Sequence, residues 1–242
     1  MLRLDDLENG YRLWQDPEAV CFGIDAVLLA HFGKLRAGDR VLDFGTGNGV
    51  IPHLLAADAR DAGISISVTG LELQKKAAEL ARRSVRDNGL TDVITIEEGD
   101  VREASKRFMP ATFDLITCNP PYLKADGGLK NASDARTIAR HEVALTLAET
   151  VREASVLLKM HGRLWMVHRP FRLAELLHLL VEHRLEPKRL RLVCPAEGRE
   201  PTMVLVEAVK GGKTGLVVLP SLPVYDAEGQ YTEEVLRIYG KR

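Results

Sequence analysis

The sequence predicts an α/β fold: a doubly wound, seven-stranded, mostly parallel sheet that ends in a C-terminal antiparallel hairpin. Three observations carry this. Short apolar runs alternate with stretches of helical spacing from residue 24 to residue 209. The first strong strand runs straight into a glycine-rich turn, Gly45-Thr46-Gly47-Asn48-Gly49, that opens a helix. The last two strands are joined only by PAEGREP (195–201), too short for a helical crossover, so that pair must run antiparallel.

The elements follow in order. IDAVLLAHF (24–32) reads as a short helix. DRVLDF (39–44) reads as a buried strand, and VIPHLLAADA beyond the glycines has helical spacing with Pro52 in its first turn, where a missing N–H costs little. The unit then repeats: strand 65–73, helix 75–89 closed by Asn88-Gly89, strand 93–100, strand 112–118. After a polar loop come helix 143–159, strand 162–168, helix 171–185, and strands 188–194 and 202–209. Residues 1–242 read as one domain: an N-terminal helical or loop cap (1–38), the core sheet (39–209) and a C-terminal extension (210–242). In that extension Val217-Val218-Leu219 suggests a partly buried segment.

Composition narrows the class. The 242 residues are 45% hydrophobic and 28% charged, which fits a globular protein and argues against disorder. Lys+Arg 33 against Asp+Glu 34 leaves a net charge of −1, so any nucleic-acid contact must come from a local patch. Residues 152–199 supply a candidate, with ten Lys/Arg against five Asp/Glu. Cys21, Cys118 and Cys194 form no CxxC pair, which argues against a zinc site or a disulfide framework. The start has no apolar core for a signal peptide, and no run approaches the roughly 20 residues of a bilayer span. The expected location is cytoplasmic, with no membrane and no metal partner; monomer and homodimer both stay open.

Four motifs fall where strands end, and ligands of such sheets bind beyond those carboxyl ends. Glycines 45, 47 and 49 let the backbone turn tightly and approach a ligand. The dinucleotide fingerprint would want a glycine at position 50, which is Val50, and Asp43 before the glycines suits a cationic ligand better than a pyrophosphate. Glu72 can accept both hydroxyls of a ribose. Asp100 can accept from an adenine amino group while Val101 offers its N–H, and Asp100 can equally cap the turn that follows. Asn119-Pro120-Pro121-Tyr122 follows a buried strand directly. An amide oxygen, carbonyls fixed by two prolines and a flat ring make a slot for a planar amide or amine.

Together these motifs resemble the class I S-adenosyl-L-methionine-dependent methyltransferases of the amino-methylating group. The segments 22–30, 139–142, 167–170, 186–189 and 224–232 extend the resemblance over the full length to the bacterial tRNA(Val) adenine-N6 methyltransferases, in the form seen in Gram-positive bacteria. The resemblance implies S-adenosyl-L-methionine as cofactor and tRNA as partner, the target being the adenine 3′ to the anticodon. It implies a cofactor site of Asp25, Asp43, Gly45, Gly47, Asn48, Gly49, Glu72, Asp100, Val101 and Asn119. Asp25 would hold the methionine end. It implies a catalytic set of Asn119, Pro120, Pro121 and Tyr122, with Asn119 Oδ1 and the Pro120 carbonyl each accepting an N–H of the amine, Tyr122 stacking on the base, and direct in-line methyl transfer.

A basic rim around the slot is expected from Lys124, Lys130, Arg140, Arg169, Arg172, Lys188 and Arg189, with His168 beside them. His168 reads first as a structural hydrogen-bonding group, since the transfer needs no histidine. Two alternatives stay open: a release-factor glutamine-N5 methyltransferase and another nucleic-acid adenine-N6 methyltransferase.

Overall fold

The computed structural model describes residues 2–17, 22–120 and 145–240. Among them nine strands form one sheet, two more than expected, and a separate two-stranded hairpin stands at the N-terminus. That hairpin pairs β1 (Arg3–Asp6) with β2 (Arg12–Gln15). It lies in the segment expected to be helical or loop, and it packs on the helix Lys75–Asp87 through Trp14, whose indole N–H donates to Asp87 at 2.8 Å.

The remaining elements are α1 (Ile24–Ala30), β3 (Arg40–Phe44), α2 (Val50–Asp61), β4 (Ser67–Glu72), α3 (Lys75–Asp87) and β5 (Ile94–Glu98). A 3-10 turn (Val101–Glu103), α4 (Ala104–Arg107) and β6 (Phe113–Cys118) follow. Next come α5 (Leu147–Leu157), β7 (Leu158–His168), a 3-10 turn (Pro170–Arg172), α6 (Leu173–Glu182), β8 (Leu185–Ala196) and β9 (Met203–Lys210). The chain closes with β10 (Val217–Val218), β11 (Leu222–Tyr225) and α7 (Glu233–Ile238).

The strand order is β10-β8-β9-β7-β6-β3-β4-β5, with β11 also on β8. Strands β3 to β7 are parallel, while β9 runs antiparallel between β7 and β8, as the short 195–201 connection requires. The chain winds outward from β3 through β4 to β5, then returns to β6 on the other side of β3. The sheet's order therefore reverses between β3 and β6, where Phe44 and Cys118 are partners in register.

Two boundaries differ from expectation. Helix 143–159 gives way to strand at Leu158, because Leu158 pairs with Phe113 of β6. The strand then bulges through His161, at φ 63°, before Arg163 regains register with Leu115. Likewise Leu185 opens β8 rather than ending the helix before it.

Side chains alternate across the sheet. Val41, Leu115, Trp165 and Val167 pack in the cluster under α1, α2 and α3. Leu42, Phe44, Ile116 and Cys118 pack in the cluster under α5 and α6. By that alternation Asp43, Thr117 and Asn119 belong to the first face, the one α1 covers. The C-terminal segment is held by Leu222, Val224 and Val235, all buried, whereas Val217 and Val218 are 55% and 64% exposed. The extension is thus partly buried as expected, through these residues and the half-buried Leu219, while β10 uses its backbone to extend the edge of β8 and leaves Val217 and Val218 in solvent. Among the described residues no helix is long and apolar enough to cross a membrane.

Candidate functional site

The site forms where the sheet order reverses, at the carboxyl ends of β3, β4 and β6. The glycine turn after β3 is tied to β4. Gly45 and Thr46 both donate backbone N–H groups to the Leu71 carbonyl, at 2.9 and 3.1 Å. Gly47 donates to Oε2 of Glu72 at 2.8 Å, and Oε1 of Glu72 accepts from Gln74 N at 2.8 Å. Glu72 is therefore buried and fastens the turn, a role beyond the ribose contact expected of it.

The turn itself needs glycine. Gly49 caps α2 at φ 87°, a left-handed conformation that costs other residues, and a Cβ there would stand 3.3 Å from Ala81. Gly45 and Gly47 have φ 66° and 57°, and a Cβ on either would meet nothing within 4 Å. Among the described residues their outer side faces open space. Asn48 lies half-exposed on the same turn.

Asp43 lies beneath, 1% exposed. Thr117, its partner in register on β6, donates its hydroxyl to Oδ1 at 2.6 Å. Oδ2 is buried and makes no geometrically formed hydrogen bond among the described residues. Burial pushes the carboxyl up to about 7 against the Thr117 and Thr46 hydroxyls, and the Glu72 charge adds to the rise. A buried carboxylate oxygen in this place suits a ligand N–H donor.

Asn119 continues the same face of β6. Its Nδ2 donates to Oδ2 of Asp25, in the first turn of α1, at 3.1 Å. That bond fixes which end of the amide is which. Thr117 and the Asp25–Asn119 bond are the site features that sequence reasoning missed. The two-residue spacing of Thr117 and Asn119, on a strand partnered to Asp43, is the signal that could have exposed the first.

The other sequence-derived candidates fall as follows. Asp100 caps the 3-10 turn by accepting from Arg102 N at 2.9 Å, and the Arg102 guanidinium grips the same carboxylate, holding it below its ordinary range. Val101 is buried beside it. Pro120 lies half-buried next to Asn119. Pro121, Tyr122, Lys124, Lys130 and Arg140 lie outside the described residues.

The basic rim is largely spent on the protein. Arg169 donates to the Thr202 carbonyl at 2.9 Å, and Arg172 pairs with Glu175 at 2.5 Å, both just beyond the carboxyl end of β7. Lys188 and Arg189 do not reach that end. Lys188 donates to the Lys213 carbonyl, and Arg189 pairs with Glu207 at 2.9 Å and lies over the Phe32 ring. Of these four, Arg169 and Arg172 lie at the expected end of the sheet and Lys188 and Arg189 do not; Glu175 matches the charge of Arg172, and the cross-strand Glu207 that of Arg189. His168 is buried and accepts from Arg169 N at 2.8 Å. Burial, with the Arg172 charge, pulls its ring down to about 4 and keeps it neutral.

Comparisons with known proteins agree with this architecture. The family model described as "Methyltransferase small domain" matches residues 23–184. A tRNA1(Val) (adenine(37)-N6)-methyltransferase of Porphyromonas gingivalis is 34% identical over 229 residues, covering 91% of this chain and 87% of the relative. A solved "predicted O-methyltransferase" from Agrobacterium tumefaciens superposes with TM-score 0.69 at 25% identity, over 89% of this chain and 95% of its own. A geranyl diphosphate C-methyltransferase from Streptomyces coelicolor, solved with S-adenosyl-L-homocysteine, shares the fold with TM-score 0.54 at 17% identity, over 77% and 79% of the two chains. With its glycine turn, its buried acid and its reversing sheet, the chain belongs to the methyltransferase small domain family.

Proposed function

We propose that this chain transfers a methyl group from S-adenosyl-L-methionine to N6 of an adenine in tRNA, the adenine at position 37 of tRNA1(Val). The observation that carries the chemistry is the Asp25–Asn119 hydrogen bond beside the glycine turn. The name and coverage of the Porphyromonas relative support the substrate.

The residues fit the methyl donor. The buried Oδ2 of Asp43 suits a ligand with a cationic end, and the open side of Gly45 and Gly47 leaves room for it. Glu72, at the end of β4, and Asp100, after β5, follow Asp43 along the carboxyl edge of the sheet and would meet a ribose and an adenine. When bound, S-adenosyl-L-methionine supplies a methyl already activated on a sulfonium.

The chain's own contribution is orientation. Asn119 holds its Nδ2 on Asp25, and its Oδ1 and the Pro120 carbonyl would each accept one N–H of the substrate amine. Two acceptors on one amine direct its lone pair away from the ring that delocalises it. Holding both reactants in this way supplies about 7–11 kcal/mol of a barrier. No side chain needs to abstract a proton first, and the neutral, inward-turned His168 fits that economy.

The test is methyl transfer from labelled S-adenosyl-L-methionine to total bacterial tRNA, followed by nucleoside digestion. Release factor, duplex DNA and Asn119→Ala serve as controls. Label in N6-methyladenosine that the variant loses supports the reading. Label on a release-factor glutamine, or in DNA alone, replaces it.

A further inference from the structure

The C-terminal segment carries an aromatic stack that the methyl-transfer site does not use. Its construction is local. Asp226 Oδ1 accepts from Glu228 N and Gln230 N, at 3.0 and 2.8 Å, and Asp226 N donates to the Gln230 carbonyl. This tight turn folds the chain back so that Tyr231 bridges Tyr225. Thr232 then caps α7 and donates its hydroxyl to the Pro223 carbonyl, fixing the return.

The result is three tyrosine rings in one column. Tyr225 and Tyr231 stack at 5.3 Å between centroids and 14° between planes; Tyr231 and Tyr239 stack at 5.5 Å and 12°. These are offset-stacked geometries that favour a further planar layer.

The column has an inner and an outer end. Tyr231 and Tyr239 pack against the same core cluster as Phe22 and Ile24, which lead into α1 and Asp25. Burial first, then the Tyr231, Tyr225 and Asp25 charges, push the Tyr239 phenol up. The outer end is Tyr225, 42% exposed. β11 runs parallel to β8, with Tyr225 opposite Ala196, so the exposed ring stands on the carboxyl-end side of the sheet, the side of Asn119. Tyr225 borders a cavity of about 820 Å³ that Arg199, Gly198 and Pro195 also line. Asp226, on the same cavity, is committed to its own turn; Arg199 is the cation of the lining, with Glu200 as its acidic neighbour there.

We propose that Tyr225 is a stacking platform for an unpaired base of the substrate RNA, flanking the target adenine, with Arg199 meeting that nucleotide's phosphate. An exposed ring backed by two others loses little freedom on binding, and stacking on an aromatic face tolerates any base. A phosphate beside an arginine adds a charge-assisted contact. The platform rests on the tRNA reading above, and it adds an RNA contact on the carboxyl-end side of the sheet.

The experiment uses the full-length chain and an anticodon stem-loop with 2-aminopurine in place of a loop purine next to the target. Stacking on Tyr225 quenches 2-aminopurine, and titration gives the affinity. In parallel, methylation of the unmodified stem-loop tests the parent reading. Tyr225→Ala should lose the quench and weaken binding about tenfold or more. Tyr225→Phe should keep both, and S-adenosyl-L-methionine binding should be unchanged in each variant, which shows that the fold survives. Arg199→Ala should weaken binding and steepen no base preference. Quench and affinity retained in Tyr225→Ala overturn the platform, as does a Tyr225→Phe protein as impaired as the alanine variant. Wild-type protein that quenches through Tyr225 but transfers no methyl leaves the platform standing and removes the tRNA-methylation reading.

Discussion

The Asn119 amide nitrogen donates to Oδ2 of Asp25 at 3.1 Å, joining residues 94 positions apart. One side chain comes from the end of β6 and the other from the first turn of α1, so the bond exists only once the sheet and its covering helix are docked. A hydrogen bond to a charged acceptor is worth about 1.5–3 kcal/mol. Asp25→Ala releases the amide to rotate, and an amide presenting Nδ2 to an amine offers a donor where an acceptor is needed. The expected outcome is a kcat lower by roughly 10- to 100-fold with far-UV dichroism unchanged. An unaltered kcat would mean that other contacts hold Asn119.

Asp43 makes the ligand-free protein sensitive to pH. Its folded-state pKa, about 7, lies above the ordinary 3.8. Between those values the folded chain keeps a proton that the unfolded chain has released. Stability is therefore full below about pH 4 and falls as pH rises toward 7. Asp43→Asn removes the titration. Urea unfolding at pH 5 and pH 8 should show the variant gaining about 3 kcal/mol on the wild type across that interval. A difference independent of pH would place the Asp43 pKa near its ordinary value.

Much of this was legible before the fold was known. Asp43, the glycines, Glu72 and Asn119 stand at the ends of apolar runs that could only be buried strands, and a doubly wound sheet gathers such ends. What stayed hidden depends on register. Thr117 reaches Asp43 because the two are cross-strand partners, and Arg189 is neutralised because Glu207 lies opposite it. The apolar run through Leu157 and Leu158 carries no mark of where helix becomes strand; pairing with Phe113 decides it. The hairpin β1–β2 escaped because each strand is four residues long and β1 buries almost nothing.

Glu72 holds the glycine turn by accepting from Gly47 and Gln74. Glu72→Gln keeps the size but places an NH2 against one of those two N–H donors. The turn should loosen where the methyl donor binds. Calorimetric titration with S-adenosyl-L-methionine should show Kd raised about tenfold or more, consistent with about 1–3 kcal/mol for a buried donor left unmet. Saturating cofactor should restore most of kcat, because Asn119 is untouched. A variant with normal Kd but poor kcat would move Glu72 from binding to chemistry.

The opposite, amino-end side of the sheet carries a different kind of charge. Arg163, on β7, and Asp39, just before β3, pair at 2.6 Å with side chains 5% and 4% exposed. Asp39 also accepts from Arg36 N, and Arg163 donates to the Lys34 carbonyl. The pair therefore pins the loop between α1 and β3 to the sheet. Removing one partner strands a buried charge, at about 3–5 kcal/mol. Asp39→Ala should lower Tm by roughly 6–20 °C. Arg163→Met, which removes the charge and keeps some volume, should cost less than Asp39→Ala, since the stranded Asp39 carboxylate keeps the Arg36 N–H, whereas a stranded Arg163 has five N–H donors to place and the Lys34 carbonyl to receive one of them. Well below the new midpoint both variants should keep wild-type kcat, because neither residue touches the carboxyl ends where Asn119 and the glycine turn lie. A loss of kcat in a fully folded Asp39→Ala protein would show that the α1–β3 loop transmits its position to Asp25.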